Sequence, residues 1–303
     1  MSSPPIVAAI FATMNRAETA VACVRALAEQ TRPPEWVVVA DNVSSDATIE
    51  RLEELAPLPF HLIVHRMPEN RGNAGGVEAA MELAFEQGAD AVWILDDDSW
   101  PRPQALAALL DGAWDMAVVR HSIQIDPASG RFTWPLQVAD GQGFRLAECV
   151  EDLPAGDFVW TRIMWTGALL SKRVRDEVGR VNAGLFIRGE DEEYPWRIER
   201  AGFKQEAAVK SILDHPGPTN LVRIAFLGWS FFFEKDLADW KLYYKVRNMV
   251  WLKLRQSGWC KAIAMATAYL ITASWIDGVR RIPLVFEAAR DGLVGRLGKW
   301  RGQ

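Results

Sequence analysis

Cysteine is scarce in this chain of 303 residues: the three that occur, Cys23, Cys149 and Cys260, are far apart and odd in number. Such cysteines favour neither a disulfide framework nor a zinc cluster, and they fit a reducing compartment. The longest apolar run, Ala262 to Ile276, has 15 residues, whereas a membrane-spanning helix needs about 18 or more. The first apolar run, Ile6 to Phe11, is short and follows a polar start, so no signal peptide is expected.

Two glycine motifs that bind phosphate are missing as well. The dinucleotide fingerprint would follow the first strand, but Thr13-Met14-Asn15-Arg16 stands there without a glycine. The phosphate-loop pattern Gly-Lys-Ser/Thr occurs nowhere in the sequence. If phosphate is bound, another device must hold it, and a metal held by carboxylates is the obvious one.

What the sequence does contain is an alternation of strand and helix patterns. Strands are predicted over 6–11, 36–40, 60–65 and 91–95, with helices over 17–30, from the 44–46 cap to 55, and over 77–87. This order predicts an α/β fold with a mixed, mainly parallel sheet, right-handed crossovers and helices on both faces. Further along, the patterns predict a helix over 104–110, a strand over 116–125, short antiparallel or irregular pieces over 132–150, an apolar segment over 158–165, a helix over 169–178 and a last strand over 205–213.

Polar residues gather where the predicted strands end. They are Thr13 and Asn15 (either of which could cap the next helix), Asp41, Asn70 in a glycine loop reaching Gly76, and the carboxylates of 96–98. The carboxyl ends of parallel strands meet at one edge of the sheet, where such folds bind ligands. Since a lone buried carboxylate is costly, we expect Asp96 and Asp98 to hold a divalent metal that in turn holds a phosphate. An acidic turn that only solubilises a loop is the alternative.

A second acidic cluster begins at Gly189 and contains Glu190 and Asp191. Pro195 is tolerated only in the first turn of a helix, which places both carboxylates at a helix N-terminus. The helix dipole favours their ionised form there. Glu193 and Arg197 are spaced as a structural i,i+4 pair.

The composition changes from Phe226 onward. Residues 241–303 carry 12 Lys and Arg against 3 Asp and Glu, while residues 1–240 carry 22 against 36. Three amphipathic helices are predicted here, the first around 243–254, the others over 261–276 and 283–297. Tryptophans and basic residues at the margins of such helices suit a bilayer interface. Packing on the rest of the protein or on a second subunit is the alternative.

The order of these motifs resembles the family 2 glycosyltransferases with the GT-A fold. The patterns that carry the resemblance are Thr-x-Asn-Arg after strand one, Asp-Asn-x-Ser-x-Asp after strand two, Asn-x-Gly-x-x-Gly-Gly, Asp-Asp-Asp after strand four and Gly-Glu-Asp-x-Glu-x-x-x-Arg. The glycine loop and the Asp triplet resemble the galactofuranosyltransferase-like group. The C-terminal patterns resemble both rhamnosyl- and galactofuranosyltransferases; they are Tyr243-Tyr244-Lys245-Val246-Arg247-Asn248 and Arg290-Asp291-Gly292-Leu293-Val294-Gly295-Arg296. The resemblance divides the chain into a GT-A catalytic domain over 1–217 and a helical region over 218–303.

The resemblance implies a role for individual residues. Thr13, Asn15 and Arg16 would form the base pocket, with Asp41 on uracil or ribose and Asn70 and Gly75 beside the nucleotide sugar. Asp96 and Asp98 would hold Mn²⁺ or Mg²⁺, with His215 completing the metal shell. Asp97 is grouped with the nucleotide-sugar site, although on an extended chain it points away from its neighbours and serves structure. Asp191 would be the catalytic base, with Glu190 as the second choice. Arg71 departs from the family pattern and leaves the sugar open.

The acceptor site is less determined. Trp165-Thr166-Gly167 could line it, because an aromatic face stacks on a sugar, but a strand end packed in the core explains the same residues. Glu190 is grouped with this site. Arg188 could meet an acceptor phosphate or solvent.

The function that follows is inverting, metal-dependent glycosyl transfer from a UDP-sugar, with UDP-galactofuranose first and dTDP-rhamnose second. The acceptor would be a lipid-linked or oligosaccharide glycan, and the enzyme would lie at the inner face of the cell membrane through its basic C-terminal region. No nucleic-acid partner is expected, and a homo-oligomer stays open. A nucleotidyltransferase or a non-catalytic sugar-nucleotide-binding module are the rivals.

Overall fold

The computed structural model describes residues 4–162, 164–226 and 229–302. The chain forms two compact units, which are described separately. The first comprises Met1–Asn182 and Asp191–Gly217, and the second comprises Ala183–Glu190 and Pro218–Gln303. Segment 183–190, which the sequence groups with the first 217 residues, therefore packs within the second unit.

The first unit begins with an alternating α/β half. Its elements are β1 Val7–Thr13, α1 Ala17–Ala28, β2 Trp36–Asp41, α2 Thr48–Glu53, β3 His61–Arg66, α3 Gly72–Glu86 and β4 Ala91–Ile94. The four strands are all parallel and lie in the order β3-β2-β1-β4. The predicted alternation is confirmed, and it brings the ends of β1, β2 and β4 to one edge of the sheet.

The sheet continues with mainly antiparallel pairings. The added elements are β5 Trp100–Pro101, α4 Ala105–Leu109, β6 Val118–Ile125, β7 Leu136–Ala139, β8 Phe144–Ala147, β9 Phe158–Arg162, β10 Ala168–Ser171, α5 Lys172–Val178, α6 Glu190–Arg200 and β11 Lys204–Asp214. The order runs on as β4-β10-β6-β11-β9-β7-β8, with β6 and β11 parallel and β5 beside β11. Short 3-10 turns lie at Val150–Asp152 and, in the second unit, at Ala183–Leu185 and Val279–Arg281. The mixed α/β sheet predicted from the sequence is confirmed.

Burial explains why β4 ends where it does. Every residue from Ala91 to Leu95 is fully buried between β1 and β10, and the next residue is the first of three carboxylates. Trp93 fills the centre of this layer and donates from Nε1 to Ser122 Oγ at 3.3 Å. The apolar run thus anchors the strand, and the chain leaves the core at the point where it becomes acidic.

Two local predictions for the first unit are wrong. The glycine stretch up to Gly76 is not a loop, because α3 already begins at Gly72. A Cβ on Gly76 would lie 2.6 Å from the Ala12 Cβ, so its glycine lets this helix approach β1. The predicted helix over 169–178 is in fact β10 followed by α5, and Ser171 caps α5 by accepting from Val174 N at 3.2 Å.

Caps and strand ends differ from expectation as well. Neither Thr13 nor Asn15 caps α1, whose N-cap is Arg16 without a side-chain hydrogen bond. Strand β11 is not the last, since the hairpin of β12 Leu221–Phe226 and β13 Trp229–Glu234 follows it in the second unit. The predicted segment 158–165 includes residue 163, which lies outside the described residues.

The second unit is a hairpin with three helices, α7 Asp239–Ser257, α8 Trp259–Ile276 and α9 Ile282–Leu293. Its core contains the buried Arg247 and Asn248 of α7. Arg247 donates to the carbonyls of Gly184, Leu185 and Gly298, and Asn248 Nδ2 donates to those of Leu185, Ile187 and Arg188. Two residues of the motif at 243–248 therefore hold the backbone of segment 184–188. None of the helices in the described part of the chain has the length and apolarity needed to cross a membrane.

Candidate active site

Three potential metal ligands meet at the carboxyl edge of the first unit's sheet. One ligand atom each from Asp96, Asp98 and His215 lies within 4.8 Å of the others. His215 Nε2 is 3.7 Å from Asp96 Oδ2 and 3.5 Å from Asp98 Oδ1. His215 follows β11 directly, and its backbone N donates to Ile125 O at 2.9 Å. The pairing of β11 with β6 thus carries the imidazole to the acidic end of β4.

These residues fit a divalent cation. Two carboxylate oxygens and one imidazole nitrogen suit Mn²⁺ or Mg²⁺ and leave positions open for phosphate oxygens. Ligands about 2.1 Å from one ion lie roughly 3 Å apart when adjacent and roughly 4.2 Å apart when opposite. The separations of 3.5 and 3.7 Å fall in this range, so the cluster needs little rearrangement to hold an ion.

The protonation of the cluster reflects its mutual contacts. Burial opposes the charged form of His215, but the nearby carboxylates of Asp96 and Asp98 raise the pKa of the imidazole above its usual value. Burial likewise opposes ionisation of Asp96, yet His215, Thr166 and Arg16 together lower the pKa of that carboxyl. Thr166 Oγ1 donates to Asp96 Oδ2 at 2.6 Å. Asp96 is thus held as a carboxylate, the form that binds metal.

Asp97 is the most buried carboxylate of the triplet. It is buried and accepts a 2.8 Å hydrogen bond from Thr13 Oγ1. Arg16 Nη1 lies 3.1 Å from its Oδ1, and Arg16 Nη2 lies 2.8 Å from Asp98 Oδ2. Burial, opposed by Arg16 and Thr13, raises the pKa of Asp97 to about 7. Thr13 and Arg16, both expected in the base pocket, therefore contact the acidic triplet itself.

Asp41 supplies a buried carboxylate with one unused acceptor atom. Its side chain is fully buried at the end of β2, and Oδ2 accepts from Ser44 N at 2.9 Å. Among the described residues Oδ1 has no hydrogen-bond partner. An unsatisfied buried carboxylate oxygen costs stability, and a base N–H or ribose hydroxyl would satisfy it.

Asn15 joins the loops that follow β1 and β2. Its Oδ1 accepts from Ser45 N at 2.7 Å and from Asp46 N at 3.3 Å, while its own backbone N donates to Ser44 Oγ at 2.8 Å. Its φ of +53° is one that Asn tolerates better than most residues. Asn15 therefore shapes the rim beside Asp41.

The turn into α3 is built by asparagines. Asn70 Oδ1 accepts from Gly72 N at 2.8 Å, and the Asn42 side chain accepts from Arg71 N and donates to Gly72 O, each at 3.1 Å. A Cβ on Gly75 would lie 2.5 Å from the Arg71 Cβ. Asn42 was missed among the site residues, although its place beside Asp41 at the end of β2 is the pattern that marked the others.

Asp191 lies exposed in the first turn of α6. One turn later Tyr194 is buried; its OH donates to Gly179 O at 2.9 Å, and its ring meets the edge of Trp165 at 5.5 Å. Trp165 precedes Thr166, the residue that binds Asp96. A short series of contacts thus connects the helix of Asp191 with the metal cluster. Tyr194 was not singled out from the sequence, where it reads as one more aromatic residue.

The residues expected to line the acceptor pocket are mostly committed to packing. Trp165 and Thr166 are buried. Gly167 has φ +89°, and a Cβ there would lie 3.0 Å from both Leu213 Cδ1 and Ser122 Cβ. These contacts favour the core-packing alternative for Trp165 and Gly167 and give Thr166 a place beside Asp96.

Two further residues expected near the acceptor belong to the second unit. Arg188 Nη1 donates to Glu234 Oε1 at 2.7 Å, and Glu190 is buried at the start of α6. Their role in acceptor binding stays a prediction.

Comparisons with known proteins give a family and several similar proteins. The family model described as Glycosyl transferase family 2 matches residues 8–162. Galactofuranosyltransferase GlfT1 of Mycolicibacterium smegmatis is 27% identical over 270 residues, covering 85% of this chain and 86% of the relative. Galactofuranosyltransferase GlfT1 of Mycobacterium tuberculosis is 29% identical over 216 residues, covering 69% of each chain.

Solved structures share the fold at low sequence identity. The mannosyltransferase PcManGT from Pyrobaculum calidifontis, in complex with GDP-Man and Mn²⁺, aligns with TM-score 0.58 at 16% identity over 97% of this chain and 89% of its own. GalNAc-T7 with UDP, GalNAc and Mn²⁺ aligns with TM-score 0.58 at 14% identity over 84% of this chain. The chain spans only 48% of GalNAc-T7. Identities this low bear on the fold alone.

Proposed function

The chain belongs to glycosyl transferase family 2 and has the GT-A fold, and we propose that within this family it is an inverting, metal-dependent transferase of a UDP-linked sugar. UDP-galactofuranose is the first choice of donor. The acceptor is a hydroxyl of a lipid-linked or polysaccharide glycan.

The observation that carries the proposal is the cluster of Asp96, Asp98 and His215 at the edge of the sheet. Breaking the bond from the anomeric carbon to the diphosphate leaves negative charge on the diphosphate. A divalent cation bound by the three side chains would act there as a Lewis acid. Thr166 keeps Asp96 oriented and Arg16 offsets the charge of Asp97 and Asp98, so the chain's own residues prepare the acidic pocket.

Asp41 supports a nucleotide donor. Its unsatisfied Oδ1 is buried at the end of β2, in the same row of strand ends as the metal cluster. An imide N–H of uracil or a ribose hydroxyl would donate to it. Asn15 and Asn70 shape the adjoining turns and would border the nucleotide.

Asp191 is the proposed general base. Inversion requires that the acceptor hydroxyl lose its proton on the face opposite the leaving group. Asp191 is exposed, so an acceptor can reach it, and the N-terminus of α6 favours its ionised form.

The choice of sugar rests on the relatives. The curated relatives named galactofuranosyltransferase cover most of the chain at 27 and 29% identity, which supports UDP-galactofuranose over the second choice, dTDP-rhamnose. A lipid-linked acceptor fits a peripheral position at the inner face of the cell membrane, which the basic C-terminal region would provide. Self-association into a homo-oligomer stays a prediction.

A donor panel tests the proposal. Thermal unfolding with Mn²⁺ is expected to shift upward with UDP-galactofuranose more than with dTDP-rhamnose, since a ligand that binds only the native state stabilises it. A larger upward shift with dTDP-rhamnose would make dTDP-rhamnose the assigned donor in place of UDP-galactofuranose. Equal shifts with and without EDTA would overturn the metal assignment.

A pair of neighbouring variants tests the catalytic step. Asp191→Asn is expected to reduce transfer by at least about a hundredfold while donor binding is retained. Glu192→Gln changes the next residue of the same turn, which is also exposed; it is the matched control and should keep the wild-type transfer rate. Unchanged transfer in Asp191→Asn would refute the base assignment. A wild type that binds the donor but transfers to no acceptor would favour the non-catalytic binding module.

A further inference from the structure

Helix α8 is apolar on its exposed side as well as its buried side. It buries Ala262, Tyr269 and Ala273 in the core of the second unit. Facing solvent are Trp259, Ile263, Ile271 and Trp275, whose exposed fractions are 59, 52, 62 and 78%. No charged residue occurs from Ala262 to Ile276, a length of about 22 Å in a helix.

Exposed apolar side chains also follow α8 in the sequence. Val279 and then Ile282, Phe286 and Val294, the last three spaced by multiples of four residues, are also exposed. We call the eight residues the C-terminal apolar face: Trp259, Ile263, Ile271, Trp275, Val279, Ile282, Phe286 and Val294. Soluble monomers rarely leave so many large apolar side chains uncovered on neighbouring elements, so this face is expected to be covered by a partner.

The charges around the face indicate the chemistry of that partner. Lys261 and Arg280, near the two ends of α8, are exposed, as is Arg255 before it. Residues 241–303 carry 12 basic residues against 3 acidic ones. A second copy of this chain would bring an equally basic surface into contact and be repelled, whereas an anionic surface would be attracted.

The aromatic residues favour a bilayer over a protein partner. Trp259 and Trp275 stand at the two ends of α8, and tryptophan prefers the headgroup level of a membrane. No helix in the described ranges can span a bilayer, so α8 would lie along the surface rather than cross it. A helix with an apolar face, terminal tryptophans and flanking basic residues has the features of an interfacial helix.

We propose that the C-terminal apolar face docks on an anionic lipid bilayer. Helix α8 lies in the interface, its exposed apolar side chains enter the acyl boundary, and Lys261 and Arg280 meet anionic headgroups. The inference rests on the proposed membrane location of the enzyme. It depends on neither the donor nor the metal, so the docking proposal and the proposed transferase activity can fail separately.

Co-sedimentation of the full chain with vesicles tests the docking. Binding is expected to phosphatidylcholine vesicles that contain phosphatidylglycerol, with at least about tenfold weaker binding to phosphatidylcholine alone. Ile271→Ser with Trp275→Ser should weaken binding at least about tenfold, because two large apolar side chains no longer enter the lipid. Charge reversal by Lys261→Glu with Arg280→Glu should weaken binding to the anionic vesicles and leave binding to the neutral ones unchanged.

The matched control replaces one tryptophan and one aliphatic residue elsewhere on the surface. Trp134→Ser with Leu146→Ser removes side chains that are 42 and 57% exposed in the first unit and should bind vesicles as the wild type does. Two results would overturn the proposal. One is an equal loss of vesicle binding in Ile271→Ser with Trp275→Ser and in the control Trp134→Ser with Leu146→Ser. The other is vesicle binding that Ile271→Ser with Trp275→Ser leaves unaffected. Light scattering that shows a dimeric wild type and a monomeric Ile271→Ser with Trp275→Ser variant would also overturn it, because the C-terminal apolar face would then join two copies of the chain. Circular dichroism confirms that each variant is folded.

Discussion

Thr166 Oγ1 lies 2.6 Å from Asp96 Oδ2 and donates a hydrogen bond to it. The threonine follows the buried Trp165 and precedes β10, which pairs with β4. The contact fixes one carboxylate of the candidate metal cluster from the turn that leads into β10. Partners that orient a metal ligand in this way affect binding nearly as strongly as the ligand itself.

Replacement of Thr166 by valine should therefore weaken Mn²⁺ binding by about tenfold, because Asp96 loses its orientation while the volume of the side chain is kept. Titration of the protein with Mn²⁺ measures the change. Thr161→Val removes another buried hydroxyl, one that donates to Gln137 O, and should leave Mn²⁺ affinity at the wild-type value. Thr166→Ser keeps the hydroxyl and should retain most of the wild-type Mn²⁺ affinity. Equal affinity in Thr166→Val and wild type would show that the hydrogen bond does not serve the metal.

Removal of Arg16 should destabilise the metal-free protein. The guanidinium pairs with the buried Asp97 and with Asp98, and its loss leaves a buried carboxylate without its cation. Because Arg16 itself is 46% exposed, the cost is about 1–2 kcal/mol in Arg16→Ala rather than that of a fully buried pair.

Chemical denaturation with EDTA and with Mn²⁺ measures this effect. Mn²⁺ should narrow the difference between Arg16→Ala and wild type, since the ion supplies positive charge to the same carboxylates. Arg51→Ala, which breaks an exposed pair with Glu18, is the control and should leave the free energy of unfolding close to the wild-type value, because an exposed ion pair contributes little. A loss in Arg16→Ala that Mn²⁺ leaves unchanged would argue that the arginine acts away from the metal cluster.

The buried His121 predicts how stability depends on pH. Burial, opposed by its hydrogen bond with Gln205, lowers the pKa of His121 from 6.5 to about 3. The unfolded chain therefore binds a proton below pH 6.5 that the folded chain does not accept until about pH 3. This contribution to stability is present above pH 6.5 and is lost as the pH falls, by at most about 1.4 kcal/mol per unit.

Urea unfolding at several pH values between about 4 and 7 measures the slope. His121→Gln should flatten the slope in this range, whereas replacement of the exposed His65 by Gln should not. An unchanged slope in His121→Gln would assign the pH dependence to other groups.

Asn248 should be among the residues that matter most for the stability of the second unit. Its buried amide donates to three backbone carbonyls of segment 185–188. Asn248→Ala leaves those carbonyls without this donor and should cost about 2–4 kcal/mol. Asn220→Ala, which removes one exposed hydrogen bond to Lys235 O, should cost less than about 1 kcal/mol. Hydrogen exchange of residues 184–189 should rise in Asn248→Ala, and protection equal to wild type would contradict the assignment.

The fold could be predicted from the sequence where local pattern and burial agree. The run 91–95 is apolar and ends in carboxylates, so both its burial and its exit to the sheet edge could be inferred. The glycines before residue 77 led to the wrong prediction of a loop, because glycine usually lies outside helices. In the structure these glycines begin α3, and Gly76 lets the helix approach Ala12. Residues 169–171 are predicted as the start of a helix, because the four-residue strand β10 gives too little periodicity to separate a strand from a helix start.

The candidate site was predictable by residue type but not by contact. His215 could be associated with Asp96 and Asp98 only through the family resemblance, since more than a hundred residues separate them and the pairing of β11 with β6 unites them. The contacts of Arg16 with Asp97 and Asp98 depend on side-chain geometry that no sequence spacing encodes. The same is true of Thr166, which was assigned to the acceptor because of its aromatic neighbour.

The division into two units also limits where this chain could be truncated or recombined with a relative. A chain cut after residue 217 would keep segment 183–190 but lose Arg247 and Asn248, which hold its carbonyls. A chain that starts at residue 218 would lack the carbonyls of segment 184–188, so Asn248 would lose its three acceptors and Arg247 would keep its bonds to Gly298 O and Asn248 Oδ1. Recombination at this boundary therefore separates the donors on α7 from the carbonyls that accept their hydrogen bonds. A viable exchange between relatives must transfer segment 183–190 together with α7.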